Sequence, residues 1–217
     1  MSRTIIIADD HPLFRQALRS SINPLFDDSR IKEVETLAAT LDCLEQQIVD
    51  LLLLDLRMSD SQGLSGLMII KGSYPEIPVI VVSASEGAET IRAAIQAGAS
   101  GYISKSSSPE QIRDAIERVS RGETAVPESA MTEVSDAERR ELEAIENITL
   151  LTPTQLKVLV KMTDGLLNKQ IAWDMDISEA TVKSHVTAIF RKLKVRTRTQ
   201  AVVLAKQLEF VLSDSAS

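Results

Sequence analysis

With 217 residues, 44% of them apolar, the chain can fill one large domain or two small ones, and wholesale disorder is excluded. No apolar run approaches the roughly 20 residues of a membrane span, MSRTIIIADD turns acidic too early for a signal peptide, and the lone Cys43 excludes an intrachain disulfide; a soluble, cytoplasmic protein is expected. The net charge of −7 is uneven: residues 1–120 carry 11 Lys+Arg against 17 Asp+Glu, residues 121–148 carry 3 against 8, and residues 149–217 carry 10 against 6, which predicts two domains, the second with a polyanionic partner.

Five strand-then-helix units fill the first 120 residues. RTIIIA (3–8) precedes PLFRQALRSSI, IKEVET (31–36) precedes LAATLDCLEQQ, and DLLLL (50–54) precedes GLSGLMIIKG. PVIVV (78–82) precedes EGAETIRAAIQAG, and GYIS (101–104) precedes PEQIRDAIERVSRG, whose start carries the capping box Ser108 to Gln111. Short, continuously apolar strands separated by helices predict an α/β domain with a parallel sheet covered on both faces. Cys43, Met58 and Met68 are expected to pack in its core or loops.

Residues 122–148 are acidic and lose this rhythm. They are expected to form a solvated linker, with Ser135 and Glu138 as the capping box of a short exposed helix whose carboxylates shield the basic domain behind it. From 149 to 212 everything reads helical. Thr152 and Gln155 open a helix that closes at Gly165, and Asn168 is expected to cap NKQIAWDM. Ser178 caps EATVKSHVTAIFRKL, and Thr197 caps QAVVLAKQLEF, ahead of a tail at 213–217. Two short helices across a short break, the second basic, form a helix-turn-helix pattern. Val182, Val186, Ile189 and Phe190 make the apolar stripe of the second, and Met162 and Trp173 are expected in the core.

LLLLDLRM (51–58) places a carboxylate and then Arg57 after a run that reads as fully buried. The other strands end in kind: IIIA in Asp9-Asp10, VIVV in Ser83, GYIS in Lys105. Ligand sites of parallel α/β sheets lie outside the carboxyl ends of the strands, so these residues are expected on one rim. Three carboxylates there demand a cation, and oxygen donors suit a hard ion such as Mg2+. Asp55 then has an oxygen free to attack phosphorus, with Lys105 and the metal offsetting charge on the equatorial oxygens. Ser83 is expected to turn its hydroxyl toward the new phosphate, with Tyr102 following into the vacated space. His11 is expected to be a surface residue rather than a ligand.

The constellation Asp9-Asp10, Asp55, Ser83, Tyr102 and Lys105 resembles the receiver domain of two-component response regulators, over about residues 3–121. The resemblance implies a flavodoxin-like (βα)5 fold, phosphorylation of Asp55 by a phosphohistidine on a partner histidine kinase, and the backbone carbonyl of Arg57 as a further metal ligand. Ser59 departs from the usual proline, which implies a looser loop. Residues 150–207, through NKQIA, ISEATVKSH and KLKVRTRTQAV, resemble the LuxR/NarL/FixJ type of helix-turn-helix. That implies a recognition helix in EATVKSHVTAIFRK presenting Thr181, Lys183, Ser184, His185, Thr187 and Arg191 to double-stranded DNA, with Asn168 and Lys169 on phosphates. It also implies a homodimer through Ala201, Val202 and Ala205 of the last helix. Lys194 stands where the family often has glycine, Leu167 where a small polar residue is common, and Thr154-Gln155 where Arg-Glu is common.

The expected protein is a transcription regulator and not an enzyme, in which the unphosphorylated receiver and linker mask the recognition helix. Two alternatives remain at this stage. One is a phosphorylation-independent DNA binder whose receiver only dimerises. The other is an aspartyl-nucleophile phosphotransferase, which would want a second aspartate where Arg57 stands.

Overall fold

β1 (Thr4–Ala8), β2 (Arg30–Val34), β3 (Leu51–Asp55), β6 (Val79–Ser83) and β7 (Gly101–Ser104) form one parallel sheet in the order β2-β1-β3-β6-β7. This is the flavodoxin-like order that the resemblance implies. The computed structural model describes residues 3–26 and 30–210, so the expected tail at 213–217 lies outside the described residues. Both faces of the sheet are covered over its inner strands, which is why β1, β3 and β6 carry continuous apolar runs, whereas the edge strand β2 keeps Arg30, Lys32 and Glu33. Ile5, Ile7, Leu51, Leu53, Ile80 and Val82 face α1 (Pro12–Ile22) and α5 (Pro109–Ser120). Ile6, Leu52, Leu54, Val79 and Val81 face α2 (Leu37–Gln46), α3 (Ser65–Ser73) and α4 (Ala88–Gln96), and Cys43, Met58 and Met68 are buried with them. A two-residue ribbon, β4 (Arg57–Met58) with β5 (Ser61–Gln62), follows β3. In its turn the Asp60 carboxylate accepts from the Leu37 and Ala38 N–H groups at the start of α2 (2.8 and 2.9 Å), an N-terminal cap from outside the helix.

The acidic segment is neither solvated throughout nor short. Ala125 pairs with β7, and a 3-10 turn (Glu128–Ala130) leads to α6 (Asp136–Thr149), which buries Glu138, Ile145 and Ile148. Ser135 caps α6 as expected, its Oγ accepting from the Glu138 N–H at 3.2 Å. The Glu138 carboxylate does not complete the capping box or face the basic domain. It bonds to Arg92 of α4.

α7 (Pro153–Thr163), α8 (Asn168–Asp174), α9 (Glu179–Lys192) and α10 (Arg198–Phe210) build the second domain, with the turn between α8 and α9 in the expected place. The capping boxes of Ser108 and Thr152 and the cap of Ser178 form as the sequence predicts. Asn168 is not a cap. It is the first helical residue, Leu167 precedes it, and the Gln170 side chain accepts from the Leu167 N–H at 2.7 Å. Trp173 is not core: it is 88% exposed, because Ile171 and Ala172 already present the buried side of this two-turn helix. Val182, Ile189 and Met162 are buried as expected.

Gly165 (φ 81°) and Lys194 (φ 57°) both take the left-handed conformation that ends a helix. A lysine Cβ is strained there, so Lys194→Gly is expected to raise stability by about 1 kcal/mol. A rise in the urea midpoint at unchanged slope is the readout, and an unchanged midpoint would show that the strain is relieved elsewhere.

The core that begins beneath α3 continues across Ile148, Leu156 and Leu159, so the two domains share an apolar seam between α3 and α7, with Ala205 of α10 along its edge. The recognition helix is not masked. Thr181, Lys183, Ser184, Thr187 and Arg191 of α9 are exposed, and the receiver instead covers α7. Among the described residues no helix is long and apolar enough to cross a membrane.

Candidate functional site

Asp55 is the last residue of β3 and Ser83 the last of β6, while Asp9 and Lys105 directly follow β1 and β7. Parallel register brings these positions onto one rim, with Ala8 beside Leu54 and Asp55 beside Val82. The Lys105 ammonium lies 2.8 Å from Oδ2 of both Asp55 and Asp9. Its backbone is pinned by its own N–H donating to the Ser83 carbonyl (2.8 Å), and the side chain crosses the Phe14 ring, 5.1 Å from its centroid. Asp55 Oδ1 accepts from the Arg57 N–H at 3.1 Å.

Asp55 is only 4% exposed. Burial pushes its carboxyl pKa above the usual value, against the opposing pull of the Lys105 and Arg57 hydrogen bonds, and the neighbouring Asp9 charge adds to the rise. A protein that stores a carboxylate in this way has reason to bind a cation. The donor atoms of Asp9, Asp10, His11 and Asp55 lie within 4.8 Å of one another, and the buried Asp9 Oδ2 and Asp10 Oδ1 accept no aligned hydrogen bond. Oxygens so arranged fit a hard divalent ion. His11 is exposed, as expected for a surface residue, but it is not idle. Its Nδ1 leans onto the cluster, 2.7 Å from Asp10 Oδ1 and 3.0 Å from Asp9 Oδ1.

Lys105→Met is expected to destabilise the metal-free protein by about 3–5 kcal/mol, since two buried carboxylates then face each other without a counter-charge. Chemical denaturation with and without Mg2+ checks this: the deficit should shrink when the ion is added. A loss that Mg2+ leaves untouched would mean that the ammonium is needed for packing rather than charge.

Ser83 is buried, and its Oγ accepts from the Ser85 N–H at 3.2 Å. Tyr102 is already inside. Its ring is buried, its hydroxyl donates to the Ser85 carbonyl at 2.7 Å, and burial raises the phenol pKa. The expected inward movement of Tyr102 is therefore unnecessary from this conformation. Arg15 was not singled out by sequence, although it sits at a buried position of α1 in step with Leu18 and Ile22. Its guanidinium donates to the Asp9 carbonyl (2.7 Å) and pairs with Glu33 and Glu35, fixing the rim from below. A charge on the apolar face was the available signal.

On α9, Lys183 pairs with Glu179 one turn back (2.9 Å), and the Thr181 hydroxyl lies 2.8 Å from the Ser178 cap. His185 is half-buried, and Lys169 of α8 is exposed. Asn168 is half-buried, and its Oδ1 accepts from Arg198 (3.3 Å), a residue that also holds the Leu166 carbonyl and so ties α10 to α8. Lys192, within the basic run, turns inward to the Leu150 carbonyl and Gln155 (2.9 and 2.8 Å). Of the expected dimer contacts, Val202 and Ala205 are half-buried, but Ala201 is fully buried inside its own domain and presents nothing to a second copy.

Comparison with known proteins agrees with this division. Residues 5–117 match the response regulator receiver domain family, and residues 149–205 match the luxR family of bacterial regulatory proteins. A glycerol metabolism activator of Pseudomonas putida is 43% identical over 212 residues, covering 95% of this chain and 96% of its own. The nitrate/nitrite response regulator protein NarP of Escherichia coli K12 is 33% identical over 203 residues, covering 94% of each. Among solved structures, the RcsB response regulator of Salmonella typhimurium shares the fold, with a TM-score of 0.55 at 24% identity over 95% of this chain and 98% of that one. The parallel receiver sheet, the helix-turn-helix behind it and full-length relatives among transcriptional regulators lead to one conclusion: the chain belongs to the two-component response regulators of the NarL type, DNA-binding transcription regulators with a LuxR-family effector domain.

Proposed function

We propose that this regulator is switched by phosphorylation of Asp55. A carboxylate oxygen of Asp55 attacks the phosphorus of a phosphohistidine on a histidine kinase; the new P–O bond forms as the P–N bond breaks, and the imidazole leaves. The buried, Lys105-paired Asp55 at the rim carries this reading, because its oxygen is held rigidly beside a cation. Lys105 stabilises charge on the phosphoryl oxygens, and the Ser83 hydroxyl donates to one of them once the group is in place. Asp9, Asp10, Asp55 and the Arg57 carbonyl would hold Mg2+, which when bound supplies further positive charge at the phosphoryl oxygens.

Arg57 stands where an aspartyl-nucleophile phosphotransferase would want a second aspartate, which favours a regulator over an enzyme. The output is double-stranded DNA in the cytoplasm, approached by Lys183, Ser184, Thr187 and Arg191 on the open face of α9, with Thr181 and His185 beside them and Lys169 and Asn168 near phosphates. Pairing of two copies uses Val202 and Ala205. Because Ala205 lines the seam with the receiver, such pairing requires the domains to part first. Intact mass after incubation with Mg2+ and either acetyl phosphate or a phosphorylated histidine kinase tests the switch. Gain of one phosphoryl group supports it. No gain from either donor overturns it and favours a regulator whose receiver only dimerises.

A further inference from the structure

We propose that Arg92 and Glu138 form a latch tying the linker helix α6 to α4, and that opening this latch carries a change at Asp55 to the effector domain; the second half rests on the phosphoacceptor reading above. Arg92 sits on α4 between the buried Ile91 and Ala93. Its Nε donates to Glu138 Oε1 at 2.5 Å, and its Nη1 donates to the Ala130 carbonyl (2.8 Å) and the Thr132 hydroxyl (3.0 Å). The two charged side chains are only 14% and 6% exposed. A guanidinium and a carboxylate excluded from water attract strongly, and neither tolerates being buried alone. The arrangement thus has two stable forms, with α6 docked and the pair closed, or α6 away and both charges hydrated.

A plain brace would do no more. What makes this one a coupling element is its connection to the rim. The Ser85 N–H donates to Ser83 Oγ (3.2 Å), and the Ser85 hydroxyl pairs with Thr90 Oγ1 (3.1 Å), two residues before Arg92 in the first turn of α4. Gly87, at the N-cap of α4, has no side chain to cap the helix, and this hydroxyl pair helps tie the first turn to the loop after β6. Turning the Ser83 hydroxyl toward a phosphoryl oxygen disturbs the acceptor of the Ser85 N–H and shifts the loop from which α4 starts. Tyr102 is already inside, so the start of α4 is the element left to respond. At the far end, α6 leads through a short turn into α7, whose Leu156 lines the seam together with Met68 of α3. Freeing α6 therefore loosens the contact that holds the effector on the receiver. The coupling is reciprocal, so loss of the latch also favours phosphorylation.

Amide hydrogen exchange over residues 128–142 of the full-length chain, read for wild type, Arg92→Ala and Glu138→Gln, tests the proposal, with circular dichroism as the check of folding. Exchange in the unphosphorylated variants is expected to be at least about tenfold faster than in wild type. Phosphorylation by acetyl phosphate and Mg2+ should accelerate wild-type exchange toward the same rate, add little in either variant, and reach a severalfold higher ratio of phosphorylated to unphosphorylated protein in the variants at equilibrium. Wild-type exchange in both folded variants overturns the latch. Fast exchange in the variants, with unchanged exchange on phosphorylation of wild type, leaves a brace and overturns the coupling. A wild type that gains no phosphoryl mass overturns the phosphoacceptor reading and the coupling with it, while the latch itself stands or falls on the unphosphorylated comparison.

Discussion

Asp55→Asn is expected to abolish the metal-dependent gain of a phosphoryl group and, at the same time, to make the protein more stable. The first effect is all or none, because an amide oxygen is no nucleophile toward phosphorus. The second follows from the direction of the Asp55 shift. Its carboxyl is held above the ordinary value by burial, beside the Asp9 charge, so the fold favours the protonated form. An acid whose folded-state pKa is raised weakens the fold once the pH exceeds its unfolded pKa of about 3.9. At pH 7 the ionised Asp55 is therefore a net burden in metal-free solution, and an asparagine of the same shape removes it. A gain of about 1–2 kcal/mol is expected, roughly 2–8 °C in Tm for a chain of this size. The gain should fade as the pH is lowered toward 4 and shrink when Mg2+ is added. Intact mass and thermal denaturation from pH 4 to 8 measure both halves. A mutant less stable than wild type at pH 7 would mean that the Lys105 and Arg57 hydrogen bonds outweigh the burial.

Lys183→Glu is expected to uncouple DNA binding from stability. Lys183 stands on the open face of α9 and pairs with the exposed Glu179 one turn away. Exposed pairs of this kind contribute little, so the reversal should change unfolding free energy by about 0.5 kcal/mol or less. On DNA the same change removes a cation from the groove or backbone and adds a repulsive charge. A loss of about 1–3 kcal/mol per half-site is expected, compounding in a dimer, with the slope of log affinity against log salt falling by about 1 for each phosphate contact removed. Fluorescence anisotropy on a duplex selected with wild-type protein, at several salt concentrations, gives both numbers. Wild-type affinity in the mutant would move the reading surface off this face of α9. Lys192→Ala offers the contrast, since Lys192 holds the Leu150 carbonyl and Gln155 and should lower stability first.

Much of the receiver site is legible without coordinates because its residues sit at the ends of strands. A strand buried on both faces must be apolar throughout, as Leu51 to Leu54 are, and the first polar residue after it falls on the rim. Apply that to β1, β3 and β6, and Asp9, Asp55 and Ser83 converge; in β7 Ser104 comes first and Lys105 stands one place beyond it. The helix caps at Ser108, Thr152 and Ser178 are equally local, each decided within one turn of chain. The failures share a different cause. Trp173 lies in a helix too short for its apolar stripe to say which side is covered. Ala201 and Ala205 look alike in sequence, yet one is interior and the other lines the seam.

The pattern of this chain by itself determined the alternation of strands and helices, the residues that end the strands and the helix-turn-helix, because each depends on neighbours within a strand or a turn; the strand order was implied only by the family resemblance. Only the tertiary structure decided that Glu138 leaves its capping box for Arg92, 46 residues away, that Arg15 supports Asp9 from beneath, and that the receiver rests on α7 while α9 stays open. Glu138 shows the physical reason. A carboxylate near a helix start can satisfy a local N–H, but a guanidinium brought close by folding offers a stronger, charge-assisted bond where water is excluded, and no local pattern records which side chain will arrive.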